Sequence, residues 1–492
     1  MNKKSIGTIS AVAFAAILLS NSATAVKVSA EEVVESRLLR AGGEDRYGTS
    51  VKVSQIGWLD GTKNVIIASG EGYADALSAA PLAKAKDAPI LLTESKSLNS
   101  QTLEELKRLN DKVKIENIYV IGGTGSVSEG AYNKLKSEFG DANVDRLWGN
   151  DRYETAVAVA EKLGVTDKIV LASGDGYADA LSAAPIAAMK GMPILLTESK
   201  ELSKPTEEFI KKHSGINKTY VIGGTASVGD ATKEKVPGAE RLGGADRFET
   251  NTIVMDYFAE DFDLTGVLTA LGEGPTGNEF ADALSGAALA GKANSPIILV
   301  NKEVPETTRN FIQSRLSPST YILAIGGEGV ISDSLILSMG ISADFLDEAD
   351  KTYTDNYDGN VDIIADNVTL KGNVKGDLYL EGNNATVSDI TVDGTIYVNP
   401  GKDGIVNIKS VTAKKIVVLS GTKENIHLEN VKAEVVGLEI DNDTQTKPEE
   451  STGTVNEVED TTVDSTKPEV IEENSNQNSA DVTVEEGTQS NN

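Results

Sequence analysis

Six arginines are set out in three matching pairs. Each pair lies in the pattern Arg, two residues, Gly, one residue, Asp, Arg and an aromatic: Arg40 to Tyr47 (RAGGEDRY), Arg146 to Tyr153 (RLWGNDRY) and Arg241 to Phe248 (RLGGADRF). A guanidinium is planar and carries five N–H donors, so it suits two-point recognition of phosphate or carboxylate. Arg40, Arg46, Arg146, Arg152, Arg241 and Arg247 are therefore candidate anion-binding residues. The same spacing admits a structural role, in which Asp45, Asp151 or Asp246 holds one arginine of each pair and fixes the register of packed repeats.

Glycines recur in a second pattern. Gly70-Glu71-Gly72 and Gly174-Asp175-Gly176 follow apolar runs, and Gly122-Gly123 and Gly223-Gly224 close later ones. At strand-to-helix turns such glycines bring backbone N–H groups and a helix N-terminus towards an anion. No Walker lysine or Gly-x-Gly-x-x-Gly run accompanies them, and Glu71 and Asp175 disfavour a nucleotide. Ligands of open α/β sheets bind at the carboxyl ends of strands, where these turns fall. Tyr73 and Tyr177 follow the turns and suit either stacking on a sugar ring or filling space between repeats. Asp75, Asp179 and Asp282 open an alanine-rich stretch, where an acid is expected as a cap or dipole partner. Trp58 and Trp148 occur in one copy each, which argues for core or surface placement over a shared site.

The chain has no cysteine and two histidines, His213 and His427. Disulfides, the usual zinc sites and a Cys-His nucleophile are thereby excluded, and no metal or cofactor is expected. Carboxylates remain as possible acids and bases, but their recurrence in every copy fits a scaffold better than a reaction centre, so catalysis is not expected. A net charge of −29 argues against nucleic acid as a partner. Any anionic ligand would need specific arginine sites or bridging divalent cations.

The elements that must position these residues repeat as well. Unbroken apolar runs at Val65 to Ala68, Ile169 to Ala172 and Val267 to Leu271 read as strands buried on both faces. Pro89 to Thr93, Pro193 to Thr197 and Pro296 to Val300 give a second strand per copy, and Tyr119 to Gly123, Tyr220 to Gly224 and Tyr321 to Gly327 a third. Helical stretches separate them, so crossover connections and a small parallel sheet are expected. Each copy is a Rossmann-like α/β unit, with boundaries expected at 31–140, 141–238 and 239–345.

Outside the repeats, Lys3 and Lys4 precede the apolar run Ala11 to Leu19 and small residues at Ala23 to Ala25 and Val28 to Ala30. Residues 1–30 thus read as a secretory signal peptide. No later run reaches the roughly 20 apolar residues of a bilayer span, so an exported protein without a membrane span is expected. Residues 352–440 carry short near-alternating runs between Gly, Asn and Asp, an all-β pattern expected to coil as a small parallel β-solenoid, with a β-sandwich as the competing arrangement. Residues 441–492 are acidic and poor in large apolar side chains, and are expected to form a disordered tail. That tail lacks a Leu-Pro-x-Thr-Gly-like sorting sequence, so attachment is expected to be non-covalent.

The set Arg-x-x-Gly-x-Asp-Arg, Gly-Tyr-Ala-Asp-Ala-Leu-Ser, Pro-Ile-Leu-Leu-Thr and Val-Ile-Gly-Gly-Thr, in tandem triplicate, resembles the type 2 cell wall binding repeat of clostridia and related Gram-positive bacteria. The resemblance implies that the three copies associate as a pseudo-trimer. It also implies that they attach a surface protein, of the S-layer class or associated with other S-layer proteins, to an anionic secondary wall polymer such as a teichoic-acid-like or phosphate-containing polysaccharide. The arginines, Tyr73, Tyr177 and the glycine turns would then be the polymer-binding candidates. Relatives of this repeat also accompany wall hydrolases, so a part in wall turnover, as an amidase or its modifier, is one alternative, and adhesion through the β region is another. Copy three departs from the pattern: Phe280 replaces the tyrosine, Ala288 stands where Pro81 and Pro185 do, and Val300-Asn301 replaces Thr-Glu. A weaker or absent ligand site is expected there.

Overall fold

The computed structural model describes residues 38–273, 280–340 and 343–437. The signal peptide and acidic tail expected from the sequence lie outside them. Three four-stranded sheets and two longer ones carry the architecture, and every strand pairing is parallel.

In copy one the strand order is Ile90–Thr93, Asn64–Ser69, Asn117–Ile121, Asn143–Leu147, and in copy two it is Ile194–Thr197, Lys168–Ser173, Lys218–Ile222, Ala239–Leu242. The central strands are buried along nearly their whole length, which their unbroken Val, Ile and Leu content requires, since helices cover both faces. The fourth strand of each sheet differs from the boundaries drawn on the sequence. The motif that opens copy two supplies the last strand of copy one, with Arg146 beside Val120, and the motif that opens copy three closes copy two, with Arg241 beside Val221. Copy three has no such successor. Its sheet, Ile297–Val300, Gly266–Leu271, Tyr321–Ile325, is completed by Leu38–Ala41 from the other end of the repeat region, with Arg40 beside Ala324. The three copies are therefore closed into a ring by one strand.

The alanine-rich helices Ala79–Lys86, Ala178–Lys190 and Phe280–Ala293 pack against one another on the pseudo-threefold axis. Small side chains permit the close approach. Lys84, Ala188 and Gly291 occupy the same position in the three copies, and a Cβ added at Gly291 would lie 2.7 Å from that of Ala188. At the other end of these helices Tyr73, Tyr177 and Phe280 meet, with centroid separations of 5.5, 5.5 and 6.1 Å and tilted or edge-on rings. The pseudo-trimer thus shares a core across the axis, with further apolar clusters in copies two and three, and is closed by the strand that completes the ring.

The β region begins at Asp344–Leu346, ahead of the change in composition at 352, and pairs there with Val361–Ile363. Successive strands alternate between a six-stranded and a five-stranded parallel sheet, so each coil of the chain adds one strand to each. The antiparallel pairing of a sandwich is not formed among the described strands. Val361, Leu378, Ile396 and Ile416 stack in adjacent coils at the buried interior. Asp350, Asn367 and Asn384 turn the corners with φ of 62°, 60° and 55°, and each asparagine amide donates to the residue one coil before it at 2.9 Å. Asparagine and aspartate tolerate the left-handed conformation because their short polar side chains bond locally. The region meets copy three where the Tyr397 hydroxyl donates to the Gln313 carbonyl at 3.3 Å.

Candidate functional site

The residues singled out by the repeats converge where adjacent copies meet, at the carboxyl ends of the strands. The two arginines of each motif take different places. Arg40, Arg146 and Arg241 sit on the ring-closing strands and donate to the carbonyls of Gly326, Gly122 and Gly223 at 2.8, 3.0 and 2.8 Å. Those glycines have φ of 128°, 103° and 107°, which side-chain-bearing residues rarely adopt. Each of the three arginines also reaches the acid that opens the next helix: Asp333 at 2.7 Å, Glu129 at 3.5 Å and Asp230 at 3.0 Å. The first arginine is therefore a clamp on the glycine loop after the third strand.

Arg46, Arg152 and Arg247 instead donate to the carbonyls of Gly70, Gly174 and Gly272, across the junction's second turn. These glycines are small because the motif presses on them: a Cβ at Gly70 or Gly174 would come within 2.7 Å of the ring of Tyr47 or Tyr153. Close approach, rather than an anion, accounts for them. Gly72 and Gly176, by contrast, face open space, with nothing within 4 Å of an added Cβ. Gly123 and Gly224 lie on the exposed rim of the loop, against the following motif.

Asp45, Asp151 and Asp246 are helix caps. Their carboxylates accept from the N–H of Gly48, of Glu154, and of Phe248 and Glu249, all at 2.8 Å, and no ion pair joins them to the neighbouring arginines among the described residues. Asp75, Asp179 and Asp282 do more than open a helix. Their carboxyl oxygens lie 2.7, 2.3 and 2.7 Å from where a Cβ would stand on Gly122, Gly223 and Gly326. Asp75 accepts from the Ser126 hydroxyl. Burial pushes Asp282 up to about 6, against the opposing pull of a Thr49 hydrogen bond and the Arg46 charge; it also raises Asp179, against Ser227 and Arg247. Both pairings cross a junction: Arg247 belongs to copy three and Asp179 to copy two, while Arg46 of copy one faces Asp282 of copy three.

Tyr73 and Tyr177 pack on the axis and also line the cleft between copies two and three. Their hydroxyls donate to the Asp175 and Gly272 carbonyls at 3.1 and 3.2 Å. Arg247 lies over Tyr177 and Arg46 over Phe280, at 5.6 and 5.8 Å from the ring centroids.

Two clefts open at the junctions. One, of about 660 Å³, is lined by Asp175, Gly176 and Asp179 of copy two, the Gly224 to Ser227 loop, and Gly244 to Arg247 of copy three. The other, of about 610 Å³, lies where copy one closes on copy three; Arg40, Lys52 and Arg108 line it together with Glu44, Glu104, Glu105 and Glu328, so its charge is mixed. Residues that the motif analysis passed over hold the walls. Thr49, Thr155 and Thr250 accept from the motif glycines Gly43, Gly149 and Gly244 at 3.2, 3.1 and 3.1 Å. Their signal was available, since a threonine stands two residues after the motif aromatic in every copy.

The family described as Cell wall binding domain 2 (CWB2) matches residues 40–132, 146–233 and 241–336, more than half of the chain. The chain belongs to the CWB2 family. Its similarity extends to N-acetylmuramoyl-L-alanine amidase LytC of Bacillus subtilis (strain 168), 34% identical over 300 residues that cover 61% of this chain and 57% of the amidase. An amidase enhancer of the same organism is 31% identical over 311 residues, covering 61% of this chain and 41% of the enhancer. Two solved structures from Clostridium difficile are similar to this chain: Cwp6, with a TM-score of 0.56 and 30% identity over 65% of this chain and 50% of that one, and Cwp8, with 0.54 and 29% over 62% and 52%. The chain spans about half the length of these relatives. CWB2 repeats are cell wall binding modules, which assigns this protein wall binding and a place at the cell wall or surface. No helix of the described residues is long and apolar enough to cross a membrane.

Proposed function

We propose that the protein, exported by its signal peptide, is held non-covalently on the Gram-positive wall by an anionic secondary polymer that lies in the junction clefts. The cleft between copies two and three carries the reading. The Asp246 carboxylate is engaged by two backbone N–H groups and burial raises the pKa of Asp179, while Arg247 and the loop amides offer donors to an anion beside the exposed Asp175. In this reading Arg247 faces the polymer in the cleft between copies two and three, Arg46 and Arg152 hold the matching places in the other copies, and Arg40, Arg146 and Arg241 hold the loops, Arg40 also lining the cleft between copies one and three. Three linked sites of modest strength raise retention through effective concentration.

The chain itself is read as a binding protein and not a hydrolase, because the region it shares with LytC is the CWB2 part and covers 57% of that enzyme. The test is retention of the purified protein on isolated walls with and without their secondary polymer, together with Thr225→Glu, which places a negative charge on the exposed rim of the cleft. Loss of retention is expected in both arms, and equal retention on stripped walls would remove the polymer as ligand.

A further inference from the structure

One position of the motif differs sharply in bulk among the three junctions. Gly42 and Gly243 occupy it in copies one and three, and each lies flat on the loop it faces. A Cβ at Gly42 would come within 2.6 Å of the Gly326 oxygen, and one at Gly243 within 2.2 Å of the Gly223 oxygen. Copy two carries Trp148 there. Its indole is accommodated on the outside of the seam, with Cε3 3.7 Å from where a Cβ on Gly123 would stand. The residue is left 54% exposed. Its ring is the largest apolar surface a side chain offers, and here more than half of the residue is open to solvent. The chain's other tryptophan shows the usual case: Trp58 is 3% exposed and donates its indole N–H to the Asp87 carbonyl at 2.9 Å.

The surroundings have room for a flat partner. Gly72 and Gly125, the copy-one residues matching Gly176 and Ala226 of the 660 Å³ cleft, would each carry a Cβ with nothing within 4 Å. The junction therefore combines bare backbone with one exposed aromatic face. A pyranose ring fits that chemistry. Its C–H edges present weakly positive hydrogens to the negative π face of an indole, while its hydroxyls turn outwards to polar groups such as the exposed Asn150.

We propose that Trp148 is a stacking platform for a sugar ring of the wall polymer, which makes the junction of copies one and two a glycan-reading site. This rests on the polymer reading above and names the part of the polymer that one junction recognises. Anionic units are met by arginine and backbone amides at the junctions; the neutral ring is met here.

The two tryptophans make the test spectroscopic. The full-length secreted protein is titrated with purified secondary wall polymer, with the same glycan after chemical removal of its anionic groups, and with inorganic phosphate. Both glycans are expected to shift Trp148 emission to the blue and protect it from acrylamide, and phosphate to do neither, with the signal absent in Trp148→Ala. That variant should bind polymer about tenfold more weakly, while Trp148→Phe keeps most of the affinity. No blue shift or acrylamide protection of Trp148 in the unaltered protein, or unchanged polymer affinity in Trp148→Ala, with Thr225→Glu still defective on walls, would overturn the glycan site and leave the polymer reading standing. Equal retention of the unaltered protein on stripped walls would instead remove the reading beneath it.

Discussion

Replacing Arg40 by alanine separates a clamp from a ligand contact. Arg40 is 19% exposed, bonds the Gly326 carbonyl at 2.8 Å and pairs with Asp333 at 2.7 Å, and its strand is the one that closes copy one onto copy three. A hydrogen bond to a charged partner contributes about 1.5–3 kcal/mol and one to a neutral carbonyl about 0.5–1.5 kcal/mol. Asp333 is 34% exposed and regains water when the arginine is lost, which discounts the first figure. The expected cost is about 2 kcal/mol. At about 2–4 °C per kcal/mol for a unit of this size, the melting temperature should fall by about 4–8 °C. Asp333→Ala should cost less, and the double variant should cost less than the sum of the two, as partners in one contact do. Because the clamp closes the ring, the loss should also appear as faster proteolytic release of the N-terminal strand. Differential scanning calorimetry and limited proteolysis measure both, and wall retention is then compared below the transition, where each variant is folded. An Arg40→Ala protein that melts with the unaltered one yet loses wall retention would refute the clamp and make this guanidinium a direct reader of the polymer.

Asp282 predicts a pH signature. Burial raises its folded pKa to about 6, above the unfolded value of about 3.9, so its contribution to stability is present in full below about pH 4 and is lost as pH rises through about 6. The difference in unfolding free energy between the unaltered protein and Asp282→Asn should therefore change by up to about 3 kcal/mol between pH 4 and pH 7.5 in denaturant titrations, and a flat difference would contradict it. Gly291→Leu should split the axis, because its first carbon would already stand 2.7 Å from that of Ala188; a loss of at least about 1–3 kcal/mol is expected by thermal unfolding, and Ala188→Gly should recover part of the smaller loss in Gly291→Ala. Asn384→Val, at φ 55°, should cost about 1–2 kcal/mol in the β region through left-handed strain and a lost ladder bond, while wall retention stays unchanged.

Much of the α/β architecture was legible because burial on both faces writes long apolar runs, and three copies of the same runs leave little freedom in how they are parsed. The ring closure was not. Leu38–Ala41, Asn143–Leu147 and Ala239–Leu242 are short and interrupted by charged residues, and their likeness to one another shows that they are equivalent without showing which sheet each joins. Only the crossover geometry decides that. The same limit applies to the site. The arginines were visible as a repeated pair, but whether a guanidinium meets a carbonyl or a ligand depends on where the folded chain brings a glycine turn, 25 residues on for Arg247 and 286 for Arg40. Phe280 was the informative exception. An apolar ring replacing two tyrosines at the same position already says that the position does not need its hydroxyl, and on the axis Phe280 is the fully buried member of the trio.

Equivalence by sequence also hides a division of labour that the geometry exposes. A perfectly threefold ring would present the same cleft three times, yet each junction here breaks the symmetry in its own way. Copies two and three leave an open cleft beside Arg247 and Asp179, whose pKa burial raises. Copies three and one are joined by a strand from the far end of the repeat region and by the Arg40–Asp333 pair, so that junction carries the closure of the fold. Copies one and two place an exposed indole where the others have glycine. Duplication supplies three positions with one backbone, and once the axis is held by alanine, glycine and aromatic packing, the rims are free to diverge without cost to the core. A polymer that repeats its own units is suited to such a surface, since unlike neighbouring subsites can engage a charged group at one junction and a sugar ring at the next along the same chain.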